Sequence, residues 1–261
     1  MATVAIPKSK LRFENLFFSG MAVVIFVSVF VGFAPSYYLA SVFKAPPLNL
    51  LIHFHGAVFT SWVLLLIVQT SLVSAGRTDV HRRLGMAGFG LACLVVVLGT
   101  LVATENLANN YPSTPSEQAN SRAFYAVALA DMLMFSTLIY FAFHNRFNPA
   151  AHKRLILIAT LAILDAAFDR WKVPVPWWGY RVSPLFCTYP LLLLLMGYDR
   201  WSTGKIQPVT LSASLFLVVV QYGRILLGHT VVWQRFAAWV YAHSSIFHRL
   251  SACFLLRYPT R

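Results

Sequence analysis

Leu84–Ala103 reads LGMAGFGLACLVVVLGTLVA, twenty residues without a charged side chain. As an α-helix rising 1.5 Å per residue it is about 30 Å long, the thickness of the hydrocarbon core of a bilayer. Comparable stretches recur near Leu16–Tyr38, Leu51–Val73, Ala123–Phe143, His152–Phe168, Val182–Tyr198 and Val209–Gly228. Inside lipid the backbone has no water to bond, so such a segment satisfies its own amides and carbonyls as a helix. The expected fold is all-α: one polytopic membrane bundle over residues 1–261, with about seven transmembrane helices and a C-terminal interfacial helix. Composition points the same way. The chain is 58% hydrophobic and 11% charged, with a mean hydropathy of +0.66, unlike a soluble domain of this length.

Basic residues orient the bundle, because Lys and Arg in short loops stay on the cytoplasmic side. Alternating the spans puts Lys8, Lys10 and Arg12 on one face with Arg77, Arg82, Arg83, Arg146, Lys153, Arg154, Arg200 and Lys205. The other face has Lys44, Arg122, Arg170, Lys172 and Arg181. The reading is an inner-membrane protein with its N-terminus in the cytoplasm. The tail, with Arg235, Arg249, Arg257 and Arg261, then lies outside, unless an eighth segment around Val231–Phe247 crosses. The first span is too long for a secretory signal and lacks a convincing cleavage site. The partners implied by a net charge of +13 are the bilayer and its anionic head groups on the cytoplasmic face, at about 1 kcal/mol per basic residue. Nucleic-acid binding is not required.

Of eight acidic side chains, Asp131, Asp165 and Asp169 fall in or beside the apolar runs. A carboxylate there costs about 2.5 to 3.5 kcal/mol on insertion scales, which asks for a partner or a function. HFHG opens the second span with His53 and His55, and ILDAAFDRW closes the fifth with Asp165 and Asp169. Opposite helix directions bring these ends to one level, and residues four apart share a helix face. Asp131 lies about 12 Å below, as a floor. Imidazole and carboxylate together suit zinc, manganese or non-haem iron. The candidate metal set is His53, His55, Asp165 and Asp169, with Asp131 and Asp165 as catalytic bases acting on a bound water. His53 and His55 are two apart, about 200° around a helix, so both reach one ion only where that end unwinds. Pro46, Pro47 and Asn49 favour this. The plainer reading puts one histidine at head-group level and the other against a neighbouring helix, and pairs Asp169 with Arg170, Lys172 or Arg181.

On the cytoplasmic side His81, His144 and His152 gather among basic residues. Two histidines on facing helices can ligate haem while cations hold its propionates; beside head groups they are also tolerated with no ligand. VPVPWWGYR at 173–181 reads as a lid over the outer site, and Thr104–Arg122 as a flexible outer loop. In HTVVWQRFAAWV, Val231, Val232, Phe236, Trp239 and Val240 oppose Gln234 and Arg235, an interfacial pattern. Cys93, Cys187 and Cys253 are too scattered for a disulfide framework or a cysteine metal site. There is no phosphate-cradling loop, HExxH or serine elbow, and Gly85, Gly88 and Gly90 read as helix-packing glycines.

The run HFHGAVFTSWVLLLIVQTSLVSAGRTDVHRRLG, His53–Gly85, with HKRL from His152, resembles uncharacterised multi-pass bacterial inner-membrane proteins over about the first two-thirds of the chain. The histidine pattern is also loosely similar to membrane cytochromes of the b561 type, which implies haem and electron transfer. Those cytochromes pair histidines at matching depths, whereas His53 and His81 belong to opposite faces, so no residue role is carried over. Three readings stand: a redox or metal-assisted activity in a His/Asp pocket; a proton- or cation-coupled transporter using Asp131 and Asp165; and an assembly protein without ligand, in which Arg, Tyr or backbone groups satisfy those carboxylates.

Overall fold

The computed structural model describes residues 8–109, 112–171 and 184–244. Every described element is helical: α1 (Lys8–Phe33) with a π-helical turn (Ala34–Tyr38), α2 (Leu50–Ser74), α3 (Thr78–Asn109), α4 (Pro115–His144), α5 (Pro149–Ala162), α6 (Asp165–Phe168), α7 (Pro184–Thr203), α8 (Pro208–Gly228) and α9 (Val231–His243). Among the described residues five helical segments are long and apolar enough to cross a membrane: Arg12–Tyr38, α2, α3, α4 and α8. The expected fifth and sixth spans are not among them.

Local chemistry sets the boundaries. α4, α5, α7 and α8 each begin at a proline, whose fixed φ suits a first turn and whose missing N–H costs nothing there. The side chains of Asn49, Asn148 and Thr230 cap α2, α5 and α9 by accepting from Ile52 N, Ala151 N and Trp233 N. Gly76, at φ 72°, turns the chain from α2 into α3, a left-handed conformation that suits glycine.

Neighbouring long helices run antiparallel. The end where α1 begins, here the near end, joins Ser19 to Ser74 at 3.4 Å; at the far end Asn49 donates to Glu105 at 2.7 Å. α5 is the axis of the bundle. Leu155, Leu157, Ile158, Ala159, Leu161 and Ala162 are buried, and so are Arg154 and Thr160. A helix buried all round is apolar all round, which is why its sequence resembles a span. With 14 residues it is only about 21 Å long, short of the hydrocarbon thickness. It tightens at its end through Ile163 N→Thr160 O and Leu164 N→Leu161 O, at 3.3 and 3.1 Å, before α6 starts at Asp165.

One loop expectation is corrected. Thr104–Arg122 is mostly helical, because α3 runs on to Asn109 and α4 starts at Pro115. The extension has a packing reason: Ala103 and Leu107 are buried with Tyr125 and with Ala237 of α9. α9 is held by its polar side. Gln234 turns inward, donating to Ala119 O of α4 and to Gly228 O at 3.0 and 2.6 Å, while Val231, Val232, Phe236 and Trp239 face out. The bond to Gly228 O satisfies a backbone carbonyl that the end of α8 leaves open. The lid stretch 173–181 lies outside the described residues, as do Lys172 and the tail beyond 244.

α1 meets α6 through Gly32, where an added Cβ would lie 2.4 Å from Ala167 O, whereas Gly20 has nothing within 4 Å. Gly32→Ala is expected to lower the unfolding midpoint in detergent, at a cost of about 1–3 kcal/mol from overpacking. Gly20→Ala is the control, neutral or stabilising by up to about 1 kcal/mol from helix propensity.

Candidate functional sites: a charged centre and a histidine cavity

The structure sorts the candidate residues into three places. Asp131 and Asp165 come together, joined by a residue that the sequence reading passed over. Arg224 of α8 donates from Nη1 to Asp131 Oδ1 and from Nη2 to Asp165 Oδ2 at 2.9 Å. Asp165 also accepts from Thr188 Oγ1 of α7 at 2.6 Å and from Gln221 Nε2 of α8 at 2.7 Å. Four elements, α4, α6, α7 and α8, therefore meet at one centre. Gln221, Thr188, Asp165 and Arg224 are all buried.

His53 and His55 are not part of it. His53 is exposed beside Tyr37, with ring centroids 5.9 Å apart; His55 stacks on Phe59 at 4.1 Å and leaves a buried Nδ1 unpartnered. The helix is regular from Leu50, so the two histidines stay on different sides of α2. Asp169 is exposed at the end of α6, and Arg170 donates to Ala166 O and covers Phe33. The proposed set His53, His55, Asp165 and Asp169 is thus not assembled. Among the described residues no group of three or more His, Cys, Asp or Glu is placed to hold a metal ion. The physical reason is that Asp165 spends both oxygens on Thr188, Gln221 and Arg224.

The third place is a cavity of about 170 Å³ at the near end, between α1, α2, α3, α4 and α5. Phe18, Trp62, Leu66, Phe89 and Phe143 form apolar walls, and His81, His152, Gln69 and Lys153 supply its polar groups. The rings of His81 and His152 stand 6.3 Å apart and nearly perpendicular. His152 Nδ1 is 2.8 Å from Ala142 O. A carbonyl only accepts, so that nitrogen carries the proton and Nε2 of the neutral ring keeps its lone pair. His81 Nδ1 is buried without a partner. Along α3, His81, Gly85, Gly88 and Ala92 follow one face, and all four line the cavity. Lys153 closes its mouth with Glu14. His144 is exposed next to Tyr140 and does not line this space.

Arg154, counted above among cytoplasmic surface charges, is a core residue. Its Nε donates to Asp199 Oδ1 at 2.9 Å, and Asp199 Oδ2 accepts from Thr210 Oγ1 at 2.5 Å and from Gln207 N at 3.2 Å. The carboxylate thereby ties α5 to the α7–α8 turn. Arg224 had a signal in the sequence. QYGRILLG puts Arg224 inside an apolar run, 16 residues past Pro208, as Asp165 is 16 past Pro149. Starting from the same end, two such residues sit at similar depth, about 24 Å along. Opposite charges at one depth in a bundle call for each other.

Compared with protein families, with curated proteins and with solved structures, the chain matches none.

Asp199→Ala leaves Arg154 buried without its counter-charge, and the expected loss of stability is about 3–5 kcal/mol. Thermal unfolding in detergent reads it. The double variant Arg154→Met with Asp199→Leu recovers most of the loss, because removing both charges also removes their desolvation cost.

Proposed function

We propose that the chain is an inner-membrane redox protein that binds haem between His81 and His152, with its N-terminus in the cytoplasm and seven crossings. α5 with α6 and then α7 supply the two crossings beyond the five long apolar segments. The exposed Arg82, Arg83, Arg146, Arg200 and Lys205 at the near end support its cytoplasmic assignment.

The observation that carries the reading is the histidine pair. His81 and His152 would be the residues that hold the iron of a haem, each offering one ring nitrogen from its own helix. The rings here are separated by 6.3 Å. His152 also has the supporting bond that metal-bound histidines ordinarily have, an Nδ1–H donated to a backbone carbonyl, which fixes its tautomer and ring orientation. The unpartnered His81 Nδ1 provides the second nitrogen. Gly85 and Gly88 of α3 line the cavity beside His81, with Gln69 and Leu65 of α2 packed against them, and Phe18, Trp62, Phe89 and Phe143 add apolar walls. Lys153, at the mouth, is the nearest cation for a carboxylate of the ligand. Haem bound there supplies one-electron transfer, tuned by its two histidines and the apolar walls.

The test is the absorption spectrum of the full chain purified in mild detergent, with haem and metal quantified per chain. A low-spin haem spectrum near one haem per chain is expected. It is lost in His81→Ala and in His152→Ala and kept in His144→Ala. Protein purified after haem-supplemented expression that contains neither haem nor a stoichiometric metal overturns the reading.

A further inference from the structure

The centre around Arg224 has unequal charges: two carboxylates share one guanidinium. With both ionised, the interior of the bundle holds an unbalanced negative charge among apolar helices, which is expensive at that depth. A proton on one carboxyl removes it, since close carboxylates resist ionising together. Geometry decides which one. Asp165 accepts three hydrogen bonds, from Thr188, Gln221 and Arg224, and bonds to a carboxylate favour its charged form. Among the described residues Asp131 accepts from Arg224 alone. Access bears on exchange rather than on which carboxyl is neutral: 14% of the Asp131 side chain is accessible, against 5% for Asp165, so Asp131 is the one a proton can reach and leave.

We infer that the centre is a proton-binding site within the membrane, with the proton carried on Asp131. In the resting form Arg224 and Asp165 are the ion pair, and Asp131 is a neutral acid held beside them. Deprotonation breaks the Asp131 O–H bond and leaves the electron pair on its oxygen, and the proton passes to water reaching the accessible edge of that side chain. A second observation marks the place as more than a closed structural pair. Among the described residues Arg224 Nε and Gln221 Oε1 are buried with no partner, one donor and one acceptor in side chains 7% and 0% exposed. Such leftover groups are what a buried water satisfies. Asp165 and Arg224 are the charged groups that act on Asp131, and Tyr189 and Tyr222 lie next to them. The inference uses no part of the histidine cavity and stands independently of the haem reading.

Infrared spectroscopy of the full chain in lipid nanodiscs, with only aspartate carboxyl carbons isotopically labelled, tests it at pH 7. One protonated-carboxyl band is expected in the wild type, absent from Asp131→Asn. Arg224→Gln removes the counter-charge, so both carboxyls take protons and the band grows about twofold. If Asp131→Asn fails to fold, Asp131→Glu serves instead, because the unlabelled glutamate carboxyl removes the labelled band while keeping an acid in place. A wild type with no such band, or a band that persists when Asp131 is replaced, overturns the inference.

Discussion

One guanidinium between two carboxylates organises the far half of this bundle. Arg224 reaches Asp131 on α4 and Asp165 at the start of α6, while Gln221, one turn earlier on α8, and Thr188 on α7 hold the same Asp165. In water such contacts contribute little, but among apolar helices they dominate, since each group left alone is a buried charge or an unmet donor. The break after α5 follows from this. No glycine or proline marks residues 163–164, yet the helix tightens there, and the carboxylate one residue on is held by three donors. The polar bonds, not a helix-breaking residue, locate the bend.

The near half rests on a second charged tie, Arg154 with Asp199, whose carboxylate also holds the start of α8 through Gln207 N and Thr210. Between it and α3 lies the cavity with its two histidines. The division of labour is physical. Asp199 spends both oxygens on Arg154, Gln207 N and Thr210 and acts as a fastener, whereas among the described residues His81 and the Arg224–Gln221 edge keep polar atoms unspent. Buried polar groups are normally paired, so unspent ones indicate where the molecule meets something other than itself.

Much of the architecture was legible because hydropathy and length act locally. The five long segments follow directly from apolar runs, and the proline starts and asparagine caps follow from backbone chemistry. Count and contact were harder. α5 by itself is shorter than a span, and its apolar sequence does not tell whether protein or lipid surrounds it, since either environment makes a helix apolar on every side. The carboxylates stood out as unusual, but their partner was read past, because an arginine in a basic chain is readily assigned to topology. His81 and His152 were named together from their places at the starts of two helices. His144 was grouped with them on sequence proximity alone, although the α4–α5 turn points it elsewhere. The metal set failed on rotation, since His53 and His55 stay on a regular helix and Asp165 faces inward.

The order in which the chain is made bears on that central arginine. Arg224 lies 59 residues after the carboxylate it neutralises, and at a synthesis rate of about 5–20 residues per second it emerges roughly 3 to 12 s later. For that interval the short α5 has neither the length to stay in the bilayer by itself nor the cation that stabilises its end. The first four helices can therefore settle as each leaves the ribosome, whereas the axis of the bundle must wait, protected or protonated, for α8. Assembly of the bundle's centre is thus decided only once α8 has been made.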